Sequence, residues 1–517
     1  MEPIAAKPSN VVIIGAGPAG LTAAYELSKH GVPATVVEAD NTVGGLSRTI
    51  NYKGYLFDVG GHRFFSRWDE ITQLWQEILG ASFLKRPRLS RIYYRKKFFY
   101  YPLKMANAFF GLGLLEAIRI VFSYLLSRLM YYHNEQNLEQ WVSNRFGKRL
   151  YEVFFKTYTE KVWGVPCTEI SAEWAAQRIK GLSLTTAVRN ALIQQKTPTV
   201  KTMINSFDYP ERGPGQMWET LAQRLQGSGY PVLMRRPVTR IVHEDNRVTF
   251  LETQGPNGTE RFCGTDFISS MPIRDLISAL DPPPPPKVLH AANSLRYRDF
   301  LIVSLVVNRK EVMPDNWLYI HEPGVRVGRI QNFKNWSPFM VPDSSKTCLG
   351  MEYFVFENDE LWSSSDEALI ALAIREIVQL GLVRSEEIED GAVVRMLKAY
   401  PMYDGGWAQR VETIRSYLAT AMPNLQLVGR NGMHKYNNQD HSMMTALCAA
   451  RNILGAKHDL WAINTEPEYH EEKQDIPQNS IAREFKRPAY AEPSVIRNRR
   501  RAAQAVVTPI SREGIEL

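Results

Sequence analysis

The stretch VVIIGAGPAGLTAAYELSKHGVPATVVEAD, Val11 to Asp40, decides the fold. Val11 to Ile14 is an uninterrupted apolar run of the kind buried in a parallel sheet, and Leu21, Ala24, Tyr25 and Leu27 then fall at helical spacing. Between them Gly15, Gly17 and Gly20 form GxGxxG, with Ala19 in the same turn. The first two glycines permit a tight turn and close approach of backbone to a pyrophosphate. The third lets helix and strand touch, and the helix N-terminus supplies positive potential. Glu38 ends the second strand, 18 residues beyond Gly20, where a carboxylate can accept hydrogen bonds from a ribose. The unit reads as the βαβ opening of a dinucleotide-binding α/β domain.

A second glycine pair follows in VGGLSRT, with Gly44 and Gly45. A nicotinamide dinucleotide domain has little use for it, whereas a longer FAD molecule must be held along more of its length. With these turns the chain resembles the FAD-binding superfamily that includes amine oxidases, phytoene desaturases, protoporphyrinogen oxidases and UDP-galactopyranose mutases. LVGRNGMHKYNNQDHSMMTALCAARNI resembles that superfamily's closing strand, flavin loop and helix. The resemblance implies FAD contacts at Arg430, Asn438 and Asp440, and at Val238 in the central strands. The implied fold is a Rossmann-like (GR2-type) α/β FAD-binding domain carrying an inserted, mainly helical substrate domain and an additional antiparallel sheet.

The substrate region narrows the family. YTEKVWG, Tyr158 to Gly164, resembles the bacterial UDP-galactopyranose mutase block in which the tyrosine stacks on uracil and the tryptophan packs near the sugar. Its continuation VPCTEISAEWAAQRI places Arg178 on the diphosphate arginine. FDVGGHRFFS resembles the mutases' loop at the flavin, with Gly61 and His62 at the reactive edge; Arg63 departs from the apolar residue usual there. GRNGMHKYNNQD matches in Arg430, Tyr436 and Asn438. Arg309 in LVVNRK is the expected second diphosphate arginine, with Arg296 and Arg298 as rivals. Arginine's donor fork suits phosphate oxygens, and tyrosine both stacks and hydrogen-bonds. The implied reaction is a redox-neutral pyranose/furanose isomerisation of a nucleotide sugar through an adduct at N5 of reduced flavin, with NAD(P)H or another reductant as electron source. His62, Arg178 and Arg309 are the implied catalytic set. The rival reading is an FAD-dependent oxidoreductase acting on an isoprenoid, a porphyrinogen or an amine. Tyr158 and Trp163 also read as plain core aromatics, and Glu160 and Lys161 as an internal salt bridge.

Size and composition agree with these readings. The 517 residues, 44% hydrophobic and 22% charged, describe an ordinary globular protein. The net charge of +8 allows an acidic lipid or phosphorylated ligand but does not specify nucleic acid, and none is expected as a partner. Cys167, Cys263, Cys348 and Cys448 form neither a CxxC pair nor a metal-ligand spacing, so no metal is expected and a reducing cytoplasm suits the chain. Ala106 to Tyr132 is apolar but broken by Glu116, Arg119 and Arg128, too interrupted to span a bilayer. It reads as amphipathic helices that are either core or a partly exposed wall resting on a partner or the inner face of a membrane. The expected divisions are FAD-binding segments 1–66, 202–285 and 421–465, a helical insert 67–201, a substrate sheet 286–420 and a disordered basic tail 466–517.

Overall fold

A parallel sheet gathers strands from three distant parts of the chain. Its order is Leu425–Leu427, Asp266–Ser269, Val11–Ile14, Ala34–Val37 and Val232–Leu233. Val11 stands opposite both Asp266 and Ala34, and all four residues of the Val11–Ile14 strand are buried. Helices cover such a sheet on both faces, which explains why its strands lack polar alternation. Asp266–Ser269, from the middle of the chain, thus pairs directly with the first strand. The structure, a computed structural model, describes residues 10–101, 103, 105–172 and 206–465. Those residues lie in one compact unit, 1–472.

A larger, mostly antiparallel sheet carries the substrate side. Seven strands run in the order Ile388–Pro401, Tyr297–Val307, Thr347–Val355, Arg329–Asn332, Trp317–Ile320, Ser90–Tyr94 and Lys97–Tyr100. Tyr297–Val307 and Thr347–Val355 are buried along their whole length. The helix Asp366–Gln379, capped by the Ser365 side chain accepting from Ala368 N, packs Leu369, Ala373 and Ile377 into the core on one face. Phe57, Phe333 and Trp336 pack on the other.

The insert expected to be helical supplies two strands of this sheet. Ser90–Tyr94 and Lys97–Tyr100 form a hairpin whose turn residues, Arg95 and Lys96, both hold positive φ (+49° and +57°). Such turns usually advertise themselves with Asn or Gly; here two long basic residues occupy them, so the local signal is missing. Phe83–Pro87 likewise pairs with Ser206–Pro210. Beyond the hairpin, Met105–Leu112 and Leu114–Leu129 are helices as expected. Of the two alternatives for them, the exposed wall holds: only Ile120 and Tyr124 of the second helix join the aromatic core. No helix among the described residues is long and apolar enough to cross a membrane. The basic tail and Arg178 lie outside the described residues.

Candidate active site

The two glycine turns meet at the carboxyl end of the central strand of the parallel sheet. Gly15 has φ +99° and Gly44 φ +98°, and Gly44 N donates to Ala16 O at 2.9 Å. A Cβ on Gly20 would fall 1.8 Å from the Gly15 carbonyl oxygen, and one on Gly17 would lie 3.8 Å from Gly45 Cα. The Glu38 carboxylate accepts from Ala16 N (2.6 Å) and Asp40 N (2.9 Å), which anchors it beside the first turn. Below the second turn, Trp218 Nε1 donates to Ser47 Oγ and Gly215 N to Thr49 Oγ1, so the DYPERGPGQMWE stretch serves as scaffold.

These turns open into a cavity of about 930 Å³ that reaches from Gly15 to the seven-stranded sheet. Gly15, Gly17, Ala19, Glu38, Gly45, Gly61, His62, Val238, Arg430, Asn438 and Asp440 all line it, while Gly20 and Gly44 shape its wall from behind. Asn438 precedes the buried helix Gln439–Ile453, whose N-terminus faces the cavity. An FAD molecule fits this set. Glycines leave room for a pyrophosphate, Glu38 sits at the ribose position, and the His62 Nδ1 is buried with no hydrogen-bond partner among the described residues. Burial pushes the Asp440 carboxyl up to about 7, against the His441 N–H that favours its ionised form at 2.9 Å. Burial, aided by Arg430 and Arg329, pushes His62 down to about 3. At neutral pH the ring is therefore neutral, offering hydrogen bonds but no charge to the cavity.

Part of the cavity wall is cationic and aromatic. Arg329 donates through Nε to Glu352 and through a terminal nitrogen to Tyr400 Oη at 3.3 Å. Glu352 is wholly buried and accepts also from Gln331 Nε2 at 2.8 Å. Arg430 donates to Asn437 O and Ala399 O, and its guanidinium lies 4.9 Å from the Tyr436 ring, which stacks on Tyr400. Carbonyls and rings surround Arg430, and no carboxylate pairs with it among the described residues.

The YTEKVWG block is placed differently from its expected role. Thr157–Trp163 is a short helix after a π-helical turn, Glu152–Lys156, and ends at Gly164 with φ +67°. Tyr158 stacks on His321 (4.9 Å, 2°) and meets Tyr319 edge-on (5.5 Å). Tyr319 lines the cavity, so Tyr158 lies one ring behind the wall. Trp163 is buried in a separate small cleft with Arg296 and Met402. Glu160 and Lys161 do not pair with each other. Glu160 accepts from Cys167 N, and Lys161 Nζ donates to the carbonyls of Ile320, Glu322 and Val327.

Arg309 is a correction. It is bound to Glu387 (3.1 Å) and to Leu382 O at the far end of its strand and does not line the cavity. Arg298, its rival, ties Val162 O to Phe354 O; it stands across the strand pair from the cavity residue Tyr400 but does not itself line the cavity. Arg329, with Gln331 and Tyr400, lines the cavity without belonging to any of the recognised motifs, as does Arg236 beside the glycine turns. The only local signal was a charged residue within the apolar strand pair RIQN and TCLGMEYFV.

His321 provides a pH probe. Burial, with the Lys161 ammonium nearby, pushes it down to about 3, so the folded state stays neutral where an unfolded histidine would take a proton below about 6.5. Stability therefore falls as pH drops from about 6.5 towards 3. His321→Phe keeps the ring stack, and its stability should fall by about 2 kcal/mol less than wild type between pH 7 and 5, read from denaturation at each pH. Parallel pH profiles would contradict this.

The flavin containing amine oxidoreductase family matches residues 18–454. A 1-hydroxycarotenoid 3,4-desaturase of Flavobacterium sp. (strain P99-3) is 24% identical over 265 residues, 47% of this chain and 53% of that protein. The mitochondrial protoporphyrinogen oxidase of Nicotiana tabacum is 39% identical over 64 residues, 12% of this chain and 13% of that one. The chain thus spans about half the length of the first relative and about an eighth of the second. Among solved structures, a reduced UDP-galactopyranose mutase superposes with TM-score 0.76 at 23% identity, covering 89% of this chain and 98% of that one. Putrescine oxidase bound to putrescine gives 0.56 at 16% identity, over 87% and 99%. At these identities the likeness is one of fold. Since the family match takes in both the glycine-turn helix and the flavin-loop helix, the chain belongs to the flavin containing amine oxidoreductase family and is an FAD-dependent enzyme of that superfamily.

Proposed function

We propose that the enzyme is of UDP-galactopyranose mutase type and interconverts pyranose and furanose forms of a nucleotide sugar without net redox change. The observation that carries this reading is the pair of guanidinium groups, Arg329 and Arg430, that line the cavity on either side of Tyr400's ring and hydroxyl. The glycine end accounts for the cofactor's own pyrophosphate. A second cationic locus with stacked tyrosines fits a second, substrate diphosphate.

Reduced FAD, when bound, supplies the nucleophilic nitrogen for this chemistry, with NAD(P)H or another donor keeping it reduced. The chain's residues orient and neutralise. Arg329, held charged by Glu352 although burial opposes it, keeps a fixed fork towards the cavity. The Tyr436 hydroxyl and the Tyr400 hydroxyl offer hydrogen bonds, and Trp317 and Tyr319 offer faces for a base. Neutral His62 fixes the turn at the ring edge, and Arg178 is kept as a further diphosphate ligand. The aromatic lining of Trp317, Tyr319 and Trp336 favours a second reading, oxidation of an apolar or amine substrate.

Incubating dithionite-reduced holoenzyme with UDP-galactopyranose and related UDP-sugars is expected to give furanose product by ion-exchange chromatography. Absence of product with every sugar, together with peroxide formation from an amine or isoprenoid by oxidised enzyme, would replace the mutase reading with the oxidoreductase one.

A further inference from the structure

We infer that the outward face of the Met105–Leu112 and Leu114–Leu129 helices docks on the surface of an anionic phospholipid bilayer. The second helix is amphipathic in the reverse sense for a protein surrounded by water. Its acid, Glu116, is buried and paired with Arg149 at 2.5 Å, and Ser123 Oγ accepts from Arg149 N on the same inward side. Most large apolar side chains of the two helices and their flanks, Ile120 and Tyr124 apart, point outward. Phe110 is 88% exposed, Leu114 76%, Leu115 78%, Phe122 62% and Leu129 83%, and Ile118, Leu125 and Met130 continue the patch. A contiguous apolar surface of this kind marks an interaction site.

Charge selects the occupant. Residues 95–132 carry six basic side chains (Arg95, Lys96, Lys97, Lys104, Arg119, Arg128) and one acid, Glu116, which faces inward. Arg95, Lys96, Lys97, Arg119 and Arg128 are exposed, so the outward charge of the described residues in this span is entirely positive. Lys97 Nζ donates to Gly111 O, which fixes the basic hairpin beside the greasy helices. Tyr100, Tyr131 and Tyr132 are exposed at the border, where rings with one polar end sit at a headgroup layer. A helix of 16 residues is about 24 Å long, short of the roughly 30 Å hydrocarbon core, so it lies in the interface and does not span it. A second copy of the chain suits the face poorly, because two identical basic rims would oppose each other. Anionic headgroups around an apolar insertion match both features. Tyr101, following the hairpin, packs on Tyr319 of the cavity wall at 4.6 Å, so the bilayer would lie close to the substrate chamber. Docking is independent of which reaction the cavity catalyses.

The test is sedimentation of the FAD-loaded full chain with phosphatidylcholine vesicles, with and without phosphatidylglycerol. Wild type is expected to bind anionic vesicles about tenfold tighter than neutral ones, and less tightly at high salt. Leu115→Glu/Phe122→Glu should lose about tenfold or more of that binding. Lys96→Glu/Arg119→Glu should lose the preference for phosphatidylglycerol. Unchanged flavin absorbance and melting temperature would show both variants folded. Wild type remaining in the supernatant with both vesicles would overturn the inference. So would a concentration-dependent dimer dispersed by Leu115→Glu/Phe122→Glu, which would assign the face to a second copy.

Discussion

Gly20→Ala is expected to yield protein without yellow flavin absorbance, or little folded protein at all. The added methyl would sit 1.8 Å from the Gly15 carbonyl oxygen and 3.3 Å from an Ile13 methyl carbon. Backbone, not a flexible side chain, is the obstacle, so helix and strand must separate. That separation costs about 3 kcal/mol or more and withdraws the helix N-terminus from the pyrophosphate position. Gly227→Ala is the control. It ends the helix Gly215–Gly227, nothing lies within 4 Å of its Cβ position, and it should keep full flavin content and gain slightly in stability. Stoichiometric flavin in purified Gly20→Ala would sink this account of the turn.

Arg329→Met is expected to cost about 3–5 kcal/mol in denaturant unfolding, because it leaves the fully buried Glu352 with Gln331 as its remaining side-chain donor among the described residues. Arg329→Met/Glu352→Gln should recover most of that loss, since removing both charges abolishes the unpaired one. The same double variant separates stability from binding. If Arg329 holds a substrate diphosphate, the double variant folds and retains FAD but loses UDP affinity by about a hundredfold in a titration followed by flavin absorbance. A double variant no more stable than the single one would contradict the buried pairing. Unchanged UDP affinity would remove Arg329 from the proposed diphosphate site.

Where local chemistry dominates, the sequence was legible. The glycine turns, Glu38 and the Asp366–Gln379 helix depend on neighbours within a few positions. A turn needing positive φ, or a serine cap, leaves its mark there. The basic hairpin at Arg95 and Lys96 escaped because its turn lacks the residues that usually betray one. Tyr158 and Trp163 were assigned to one site although five helical positions separate them. At about 100° per residue their side chains point about 140° apart, and the structure sends one to His321 and the other to its own cleft.

The α/β class, the strand-turn-helix that receives a dinucleotide, and the superfamily to which the glycine pairs point are all written in short stretches of the chain. Which charges share the cavity follows instead from how distant strands are brought together. Arg329 and Glu352 face each other across paired strands, Tyr400 comes from a third strand of the sheet, and Arg430 comes from the short helix Gly429–Gly432 after the last parallel strand. Their meeting depends on strand register, where a shift of one residue would turn each side chain to the opposite face. Arg309, on the same sheet, shows the consequence: it ends beyond its strand against Glu387, and no feature of its own neighbourhood in the chain distinguishes it from the arginine that reaches the cavity.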